Sequence, residues 1–227
     1  MLSDFVSLFY PLTCVVCGNS LYRHETELCN RCYIDLPKSN FHFQQDNPLA
    51  RLFYGRVAIH RAASYYLFHK SGSTQKLLHA LKYKNKPEVG NVVGKWYGDE
   101  LKHAPGFSDA ELILPVPLHK NKLKKRGYNQ STAFAAGLSE SLGIAYTAEL
   151  LLRTADTSTQ TKKGRFERWQ NVENKFSVSN PDWLINKKVI LVDDVVTTGA
   201  TLEACAAELL KTQGVSVSIA TIAFAQL

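Results

Sequence analysis

The feature that most constrains this chain is one stretch near its C-terminus, residues 188–201, with the sequence KVILVDDVVTTGAT. Four consecutive apolar residues, 189–192, lead directly into two acids, Asp193 and Asp194. A short β-rich apolar run of this kind is typical of a buried strand in a parallel sheet. From Leu202 onward, apolar residues recur at helical spacing. The stretch therefore predicts a strand, an acidic turn, a loop of phosphate size and a helix.

The loop of residues 197–201 contains the residue types that bind a phosphate at the start of a helix. Backbone N–H groups in the first helical turn lack intrahelical partners, and the helix dipole is positive there. Gly199 allows a close backbone approach, and three hydroxyl groups can donate hydrogen bonds, those of Thr197, Thr198 and Thr201. The two acids would repel a phosphate, but they suit ribose hydroxyls or a hydrated magnesium ion. The pattern indicates a phosphorylated sugar, and the alternative is a buried strand followed by a helix that these side chains only cap.

Length and composition are those of an ordinary globular protein. The 227 residues are 45% hydrophobic and 21% charged, which suits one good-sized domain with a small appendage. No apolar run approaches the roughly 18 residues of a membrane span, and the N-terminus carries Asp4 and no basic residue, unlike a signal peptide. We therefore expect no membrane insertion and a cytoplasmic location. The net charge of +7 favours an anionic partner, without choosing between a phosphorylated sugar and a nucleic acid.

Two Cys-x-x-Cys pairs, separated by 11 residues, lie near the N-terminus and comprise Cys14, Cys17, Cys29 and Cys32. Each pair lets two thiolates converge from one tight turn, so the four cysteines predict a tetrahedral site with Zn²⁺ as its occupant. Because protein thiolates fill all four positions, the site is predicted to be structural. Disulfide pairing is the competing interpretation, which a cytoplasmic location disfavours. We expect an N-terminal helix and a four-cysteine zinc module over residues 1–48 and the main domain over 49–227.

The remaining pattern predicts alternating strands and helices. Strands are expected at 61–68, 111–117 and 215–224, and helices around Leu77 to Leu81, at 88–103 and at 128–142. The densest basic cluster, residues 119–130, follows a predicted strand directly, where open α/β sheets bind ligands. Residues 151–176 form the least regular long segment, and segments of that kind are disordered or functional.

The stretch 188–201 resembles the phosphoribosyl-pyrophosphate (PRPP) motif of type I phosphoribosyltransferases at every defining position. The resemblance implies an α/β fold of the type I phosphoribosyltransferase class, a parallel sheet flanked by helices. It also implies that Mg²⁺ binds together with PRPP. The implied PRPP-binding residues are Asp193, Asp194, Val195, Val196, Thr197, Thr198, Gly199, Ala200 and Thr201.

The same resemblance implies two further parts of a site. In type I enzymes a loop after the corresponding strand grips the pyrophosphate, which here implies Lys120, Lys122, Lys124, Lys125 and Arg126. A mobile loop in those enzymes closes over the reacting centre and excludes water. Its implied counterparts here are Gln160, Lys162, Lys163 and Arg165. The implied catalytic residues are Asp193, Asp194 and Arg168.

Nearly the full length of the chain resembles the ComF family of competence-associated proteins. The resemblance is carried by the four N-terminal cysteines, the segments PVPLH (115–119) and RGYNQ (126–130), Gln160 with Arg168, and the closing PRPP motif. The family resemblance implies a domain similar to amidophosphoribosyltransferases and, in some bacteria, a role in DNA uptake.

Three functions remain open at this point. The first is a pentosyl-transferring enzyme that moves the phosphoribosyl group to an unidentified acceptor. The second is a single-stranded-DNA-binding accessory of transformation, in which basic segments are interleaved with Tyr83, Tyr128, Phe166 and Trp169. The third is a PRPP sensor without turnover, whose zinc module docks another protein. The candidate partners are PRPP or another phosphoribosyl compound, single-stranded DNA, competence proteins and a second copy of the chain.

Overall fold

The fold is known from a computed structural model, which describes residues 11–154 and 175–226. The first helices and strand are α1 (Asn30–Asp35), a 3-10 turn (Phe41–Phe43), α2 (Pro48–Arg51), β1 (Arg61–Leu67), α3 (Ser73–Tyr83) and α4 (Pro87–Leu101). They are followed by β2 (Leu112–Pro115), α5 (Lys120–Arg126), α6 (Gln130–Leu142), β3 (Ala145–Tyr146) and β4 (Leu151–Arg153). The C-terminal part contains β5 (Phe176–Val178), a 3-10 turn (Pro181–Leu184), β6 (Lys188–Val196), α7 (Ala200–Leu209) and β7 (Ser216–Phe224). The predicted N-terminal helix falls on residues 1–10, outside the described residues.

Five strands form one parallel sheet in the order β1-β7-β6-β2-β3. Strand β6 lies in the middle, where Val192 pairs with Pro115 of β2 on one side and Ala220 of β7 on the other. Its apolar residues 189–192 are almost completely buried, as expected for a strand covered on both faces. The predicted α/β fold with a parallel sheet is confirmed. Strands β4 and β5 form a separate antiparallel pair.

The strand order places a crevice between β2 and β6. The connection from β6 through α7 leads to β7 on one side, whereas the connection from β2 through α6 leads to β3 on the other. Parallel crossovers are right-handed, so these two connections carry their helices to opposite faces of the sheet. The chain segments that leave the carboxyl ends of β2 and β6 therefore diverge. Ligands of open α/β sheets bind at such a switch point.

Helices α4 and α6 pack unusually closely because glycines line their contact. A Cβ atom on Gly94 would lie 2.4 Å from the carbonyl oxygen of Phe134, and one on Gly137 would lie 2.0 Å from that of Asn91. Neither position could accept a side chain without separating the helices. This contact limits where α6 can lie relative to α4 and therefore helps to position the first turn of α6.

The cysteine-rich N-terminal part belongs to the same hydrophobic core as the sheet. The residues of this part that join the core are Cys14, Val16, Leu28, Cys29 and Cys32. The Tyr33 ring packs against Trp96 of α4 with centroids 4.6 Å apart, and Lys86 Nζ lies 2.7 Å from a Glu27 carboxylate oxygen. Within the described part of the chain, no helix is long and apolar enough to cross a membrane.

Candidate functional site

The two acids lie within strand β6, and the predicted acidic turn is wrong. Asp193 pairs in register with Thr221 of β7, and the pairing with that strand continues to Val196. The strand extends past its apolar run because β7 is nine residues long and provides backbone partners along the whole of β6. The acids are therefore held by the sheet rather than by a flexible turn.

Asp193 has two hydrogen-bond donors and is only partly accessible to water. Ser131 Oγ donates to Asp193 Oδ1 at 2.8 Å, and the backbone N–H of Asp194 donates to the same oxygen at 2.8 Å. Burial, followed by the adjacent charge of Asp194, raises the pKa of the Asp193 carboxyl to about 7, although the two donors and Lys82 act in the opposite direction. Asp193 can therefore change its charge near neutral pH.

Ser131 is placed by the start of α6. The Asn129 side chain accepts a hydrogen bond from Ser131 N and donates one to the carbonyl oxygen of Val116, at the end of β2. This cap ties the first turn of α6 to the carboxyl end of the neighbouring strand. The hydroxyl of Ser131 is thereby directed at the acid on β6. Sequence reasoning missed this contact, because nothing local links residues 62 positions apart.

Asp194 forms an ion pair with Lys82, which lies in the last turn of α3. Lys82 Nζ is 3.1 Å from Asp194 Oδ1, and both side chains are largely buried, with 19% and 12% exposed. The structure thus places a largely buried ammonium group beside the acidic pair.

The loop after β6 turns sharply at Gly199. Its φ of +76° lies in the left-handed region that favours glycine, and a Cβ there would come within 3.2 Å of the Phe53 ring. The exposed Thr197 and Thr198 precede this turn, and Ala200 begins α7. A small cavity of about 50 Å³ is lined by Asp193 and residues 195–202. The loop predicted to bind a phosphate is thus present, at the N-terminus of a ten-residue helix.

Arg56 is a further basic group at this loop that the sequence did not reveal. Its Nη1 donates to the carbonyl oxygen of Thr198 at 3.3 Å, and its Nη2 pairs with the Glu203 carboxylate. Its side chain is 41% exposed. Arg56 thus brings a positive charge to the loop from a position 142 residues away in the chain.

The basic segment after β2, predicted as a loop, is the short helix α5. His119 caps its start, Gly127 ends it in the left-handed conformation, and lysine, leucine and arginine all favour helix. The lysines of α5 are exposed, namely Lys120, Lys122, Lys124 and Lys125. Arg126 is held more firmly, since its Nη1 donates to Gln130 at 2.7 Å and its guanidinium lies 5.6 Å from the Tyr83 ring centroid. The basic helix begins five residues after the carboxyl end of β2.

The four N-terminal cysteines form a compact cluster that fits a metal ion. Their sulfur atoms all lie within 4.8 Å of one another, and Cys17 Sγ and Cys29 Sγ are 3.7 Å apart. Two thiolates bound to one Zn²⁺ at about 2.3 Å lie about 3.8 Å apart in a regular tetrahedron. No pair is joined as a disulfide. The geometry and the all-sulfur donor set are compatible with the predicted zinc module.

The predicted mobile-loop residues cannot be placed. Gln160, Lys162, Lys163, Arg165 and the catalytic candidate Arg168 lie outside the described residues.

The fifth cysteine, Cys205, lies fully buried on the inner face of α7, and burial raises the pKa of its thiol well above the ordinary value.

The chain is similar in sequence to several known proteins. Residues 129–226 match the family model of the phosphoribosyl transferase domain. The DNA utilization protein YhgH of Escherichia coli K12 is 28% identical over 215 residues, covering 91% of this chain and 87% of YhgH. Competence protein F of Haemophilus influenzae is 38% identical over 106 residues, which is 46% of each chain. Competence protein ComFC of Streptococcus pneumoniae is 31% identical over 111 residues, covering 49% of this chain and 45% of ComFC.

Among solved structures, the glutamine PRPP amidotransferase from B. subtilis is similar to this chain with a TM-score of 0.43 and 20% identity. The match covers 62% of this chain and 30% of the amidotransferase chain.

Proposed function

Because the chain contains a phosphoribosyl transferase domain and is homologous to competence proteins F and ComFC, we propose that it binds PRPP with Mg²⁺ and transfers the phosphoribosyl group to an acceptor. One observation carries the proposal. An acidic pair held in the central strand leads directly into a glycine turn and the N-terminus of α7, at the switch point of a parallel sheet. This arrangement offers carboxylates to ribose hydroxyls and N–H groups to a phosphate.

Each described residue of the site has a role in this proposal. The threonine hydroxyls and the N–H groups of residues 197–201 hold the 5-phosphate, and Arg56 adds positive charge beside that loop. Asp193 and Asp194 accept hydrogen bonds from the ribose hydroxyls, and their carboxylates would also hold a hydrated Mg²⁺. Bound Mg²⁺ would neutralise charge on the pyrophosphate. Lys82, whose Nζ lies 3.1 Å from Asp194 Oδ1, holds that side chain in place beside Asp193.

In the transfer itself, the bond between the anomeric carbon and the pyrophosphate oxygen breaks, and a bond from the acceptor to that carbon forms. Positive charge develops on the ribose ring, and negative charge on the departing pyrophosphate. The cations of α5, which follows β2 in the chain, are the groups proposed to stabilise the leaving group. The acids on β6 face the developing positive charge of the ribose.

A thermal-shift titration of the wild-type protein with PRPP and Mg²⁺ tests the binding step. We expect a concentration-dependent rise in Tm, because a ligand that binds only the folded state stabilises it. Pyrophosphate release with a panel of nucleobases and amines then tests transfer. Absence of a Tm shift contradicts PRPP binding. A clear shift without turnover on a broad panel contradicts the enzyme and leaves the sensor.

A second candidate, binding of single-stranded DNA, is favoured by the surface of α5. Four exposed lysines occupy one short helix that contains no acidic residue, and the Arg126 guanidinium lies over the ring of the 65% exposed Tyr83. Cations that hold phosphates beside an exposed aromatic ring are the elements of a single-strand site.

Fluorescence anisotropy with a labelled oligonucleotide tests this candidate. We expect Lys122→Ala/Lys124→Ala/Lys125→Ala to weaken binding about tenfold or more and to flatten its dependence on salt, because fewer counterions are released. Lys95→Ala/Lys102→Ala/Lys211→Ala is the charge-matched control away from α5. No binding of the wild type at low salt would exclude the candidate.

A further inference from the structure

A cavity of about 730 Å³ lies between the first Cys-x-x-Cys turn and helix α3. Residues 13–18 form one wall, and Ser71, Gly72 and Gln75 belong to the other. None of its lining residues lines the small cavity at the loop after β6. Its volume lies within the range of roughly 300–1,000 Å³ that is common for small-molecule sites.

Three lysines line this cavity, Lys76, Lys84 and Lys86, and among the described residues no aspartate or glutamate does. Cys14 and Cys17 of the proposed zinc site line the opposite wall, and their thiolates are the negative groups nearby. Lys86 pairs with Glu27 at 2.7 Å, whereas within the described residues neither Lys76 nor Lys84 pairs with a carboxylate. The first turn of α3 also lacks an acidic residue, so the positive end of its dipole adds to the field of the lysines. The wall formed by α3 and the residues that follow it therefore favours an anion.

One side of the cavity is aromatic. His79 lines the cavity, and its ring packs against Tyr83 with centroids 4.9 Å apart. This support limits the rotation of the exposed imidazole and presents it as a flat surface. Flat rings of this kind stack on nucleobases.

We propose that this cavity binds a nucleotide, with its phosphates on Lys76 and Lys84 and its base against His79. The volume, the supported ring and the two lysines that pair with no carboxylate in the described part of the chain favour this ligand class, since a phosphate alone would use neither the ring nor most of the space. The site is separate from the proposed PRPP site and does not depend on it. It lies where the cysteine module meets the main domain, so its occupant would contact both.

Calorimetric titration of ADP into the zinc-loaded full chain tests the proposal. The titration uses the Asp193→Asn/Asp194→Asn background, in which the proposed PRPP site lacks both of its carboxylates. There we expect ADP to bind, and Lys76→Ala/Lys84→Ala to lower its affinity about tenfold or more. Lys102→Ala/Lys211→Ala removes the same charge from exposed lysines elsewhere and should leave the affinity unchanged. Adenosine should bind far more weakly than ADP.

Three results would overturn the proposal. The first is that ADP does not bind at millimolar concentration in this background, and the second is that ADP affinity falls equally in both lysine pairs. The third is that Lys76→Ala/Lys84→Ala lowers zinc content without changing ADP affinity, which would mean that these lysines only offset the charge of the thiolates. The PRPP shift of the wild type is measured separately, so failure of one proposal is distinguishable from failure of the other.

Discussion

In the Asp193→Asn/Asp194→Asn variant, PRPP with Mg²⁺ is expected to bind about 100-fold more weakly than in the wild type, or not at all. Hydrogen bonds to charged groups contribute roughly 1.5–3 kcal/mol each, and the variant removes two charged acceptors. The measurement is the thermal-shift titration described above, repeated on the variant. A transferase should also lose pyrophosphate release, a sensor should lose only its response to PRPP, and a protein that binds only DNA should change little.

The single variant Asp193→Asn separates loss of the site from loss of the fold. The pKa of Asp193 is raised to about 7 in the folded protein, so its contribution to stability is fully present below pH 4 and is lost as the pH rises through 7. Asparagine stays neutral and can still accept the hydrogen bonds from Ser131 and from the backbone N–H of residue 194. We therefore expect the ligand-free variant to unfold with a free energy higher by about 1 kcal/mol or more at pH 8.

Urea denaturation at pH 8 and pH 5 checks this effect. The difference between variant and wild type should be largest at pH 8 and should shrink toward pH 4. A ligand-free variant less stable than the wild type at pH 8 would show that the ionised Asp193 stabilises the fold, contrary to the burial of its carboxyl. Asp194→Asn is unsuitable for this comparison, because it also breaks the ion pair with Lys82.

Removal of zinc is expected to lower the free energy of unfolding by several kcal/mol. When a metal site does not exist in the unfolded chain, the free energy of zinc binding contributes directly to the stability of the fold. Here three of the four cysteines are buried in the main hydrophobic core. The loss should extend beyond the cysteine turns, because Tyr33 packs on Trp96 and Glu27 pairs with Lys86. Urea denaturation with and without a chelator, followed by tryptophan fluorescence, measures it.

Cysteine variants locate this effect. Cys32→Ser should reduce bound zinc below one ion per chain and lower stability as the chelator does. Cys205→Ala changes a buried thiol outside the cluster, so it should retain one zinc ion and remain sensitive to the chelator. Equal metal content in the two variants would contradict the assignment of the four cysteines.

Local patterns predicted most of the sheet and its helices. The strand expected at 61–68 is β1, the helix expected at 88–103 is α4, and the strand expected at 215–224 is β7. These predictions were correct because a buried strand requires a short run of apolar residues, and an amphipathic helix requires apolar residues at regular spacing. Helix α5 was missed for another reason. Its residues favour helix and it has a cap at each end, whereas the resemblance to type I enzymes implied a loop at this position.

The sequence by itself determined the chemical groups of this protein: four thiols at metal-binding spacing, two acids after an apolar strand, and a glycine between threonines and a helix. Each of those features involves residues close together in the chain, so it can be recognised from the sequence without knowing the fold. Only the tertiary structure decided what surrounds the acids, because the order of the strands brings together side chains far apart in the chain. It placed Ser131 on Asp193, Lys82 on Asp194 and Arg56 at the loop. The sheet also kept both acids within β6, since β7 continues beside them and pairs with Asp193 and Val195 on either side of Asp194.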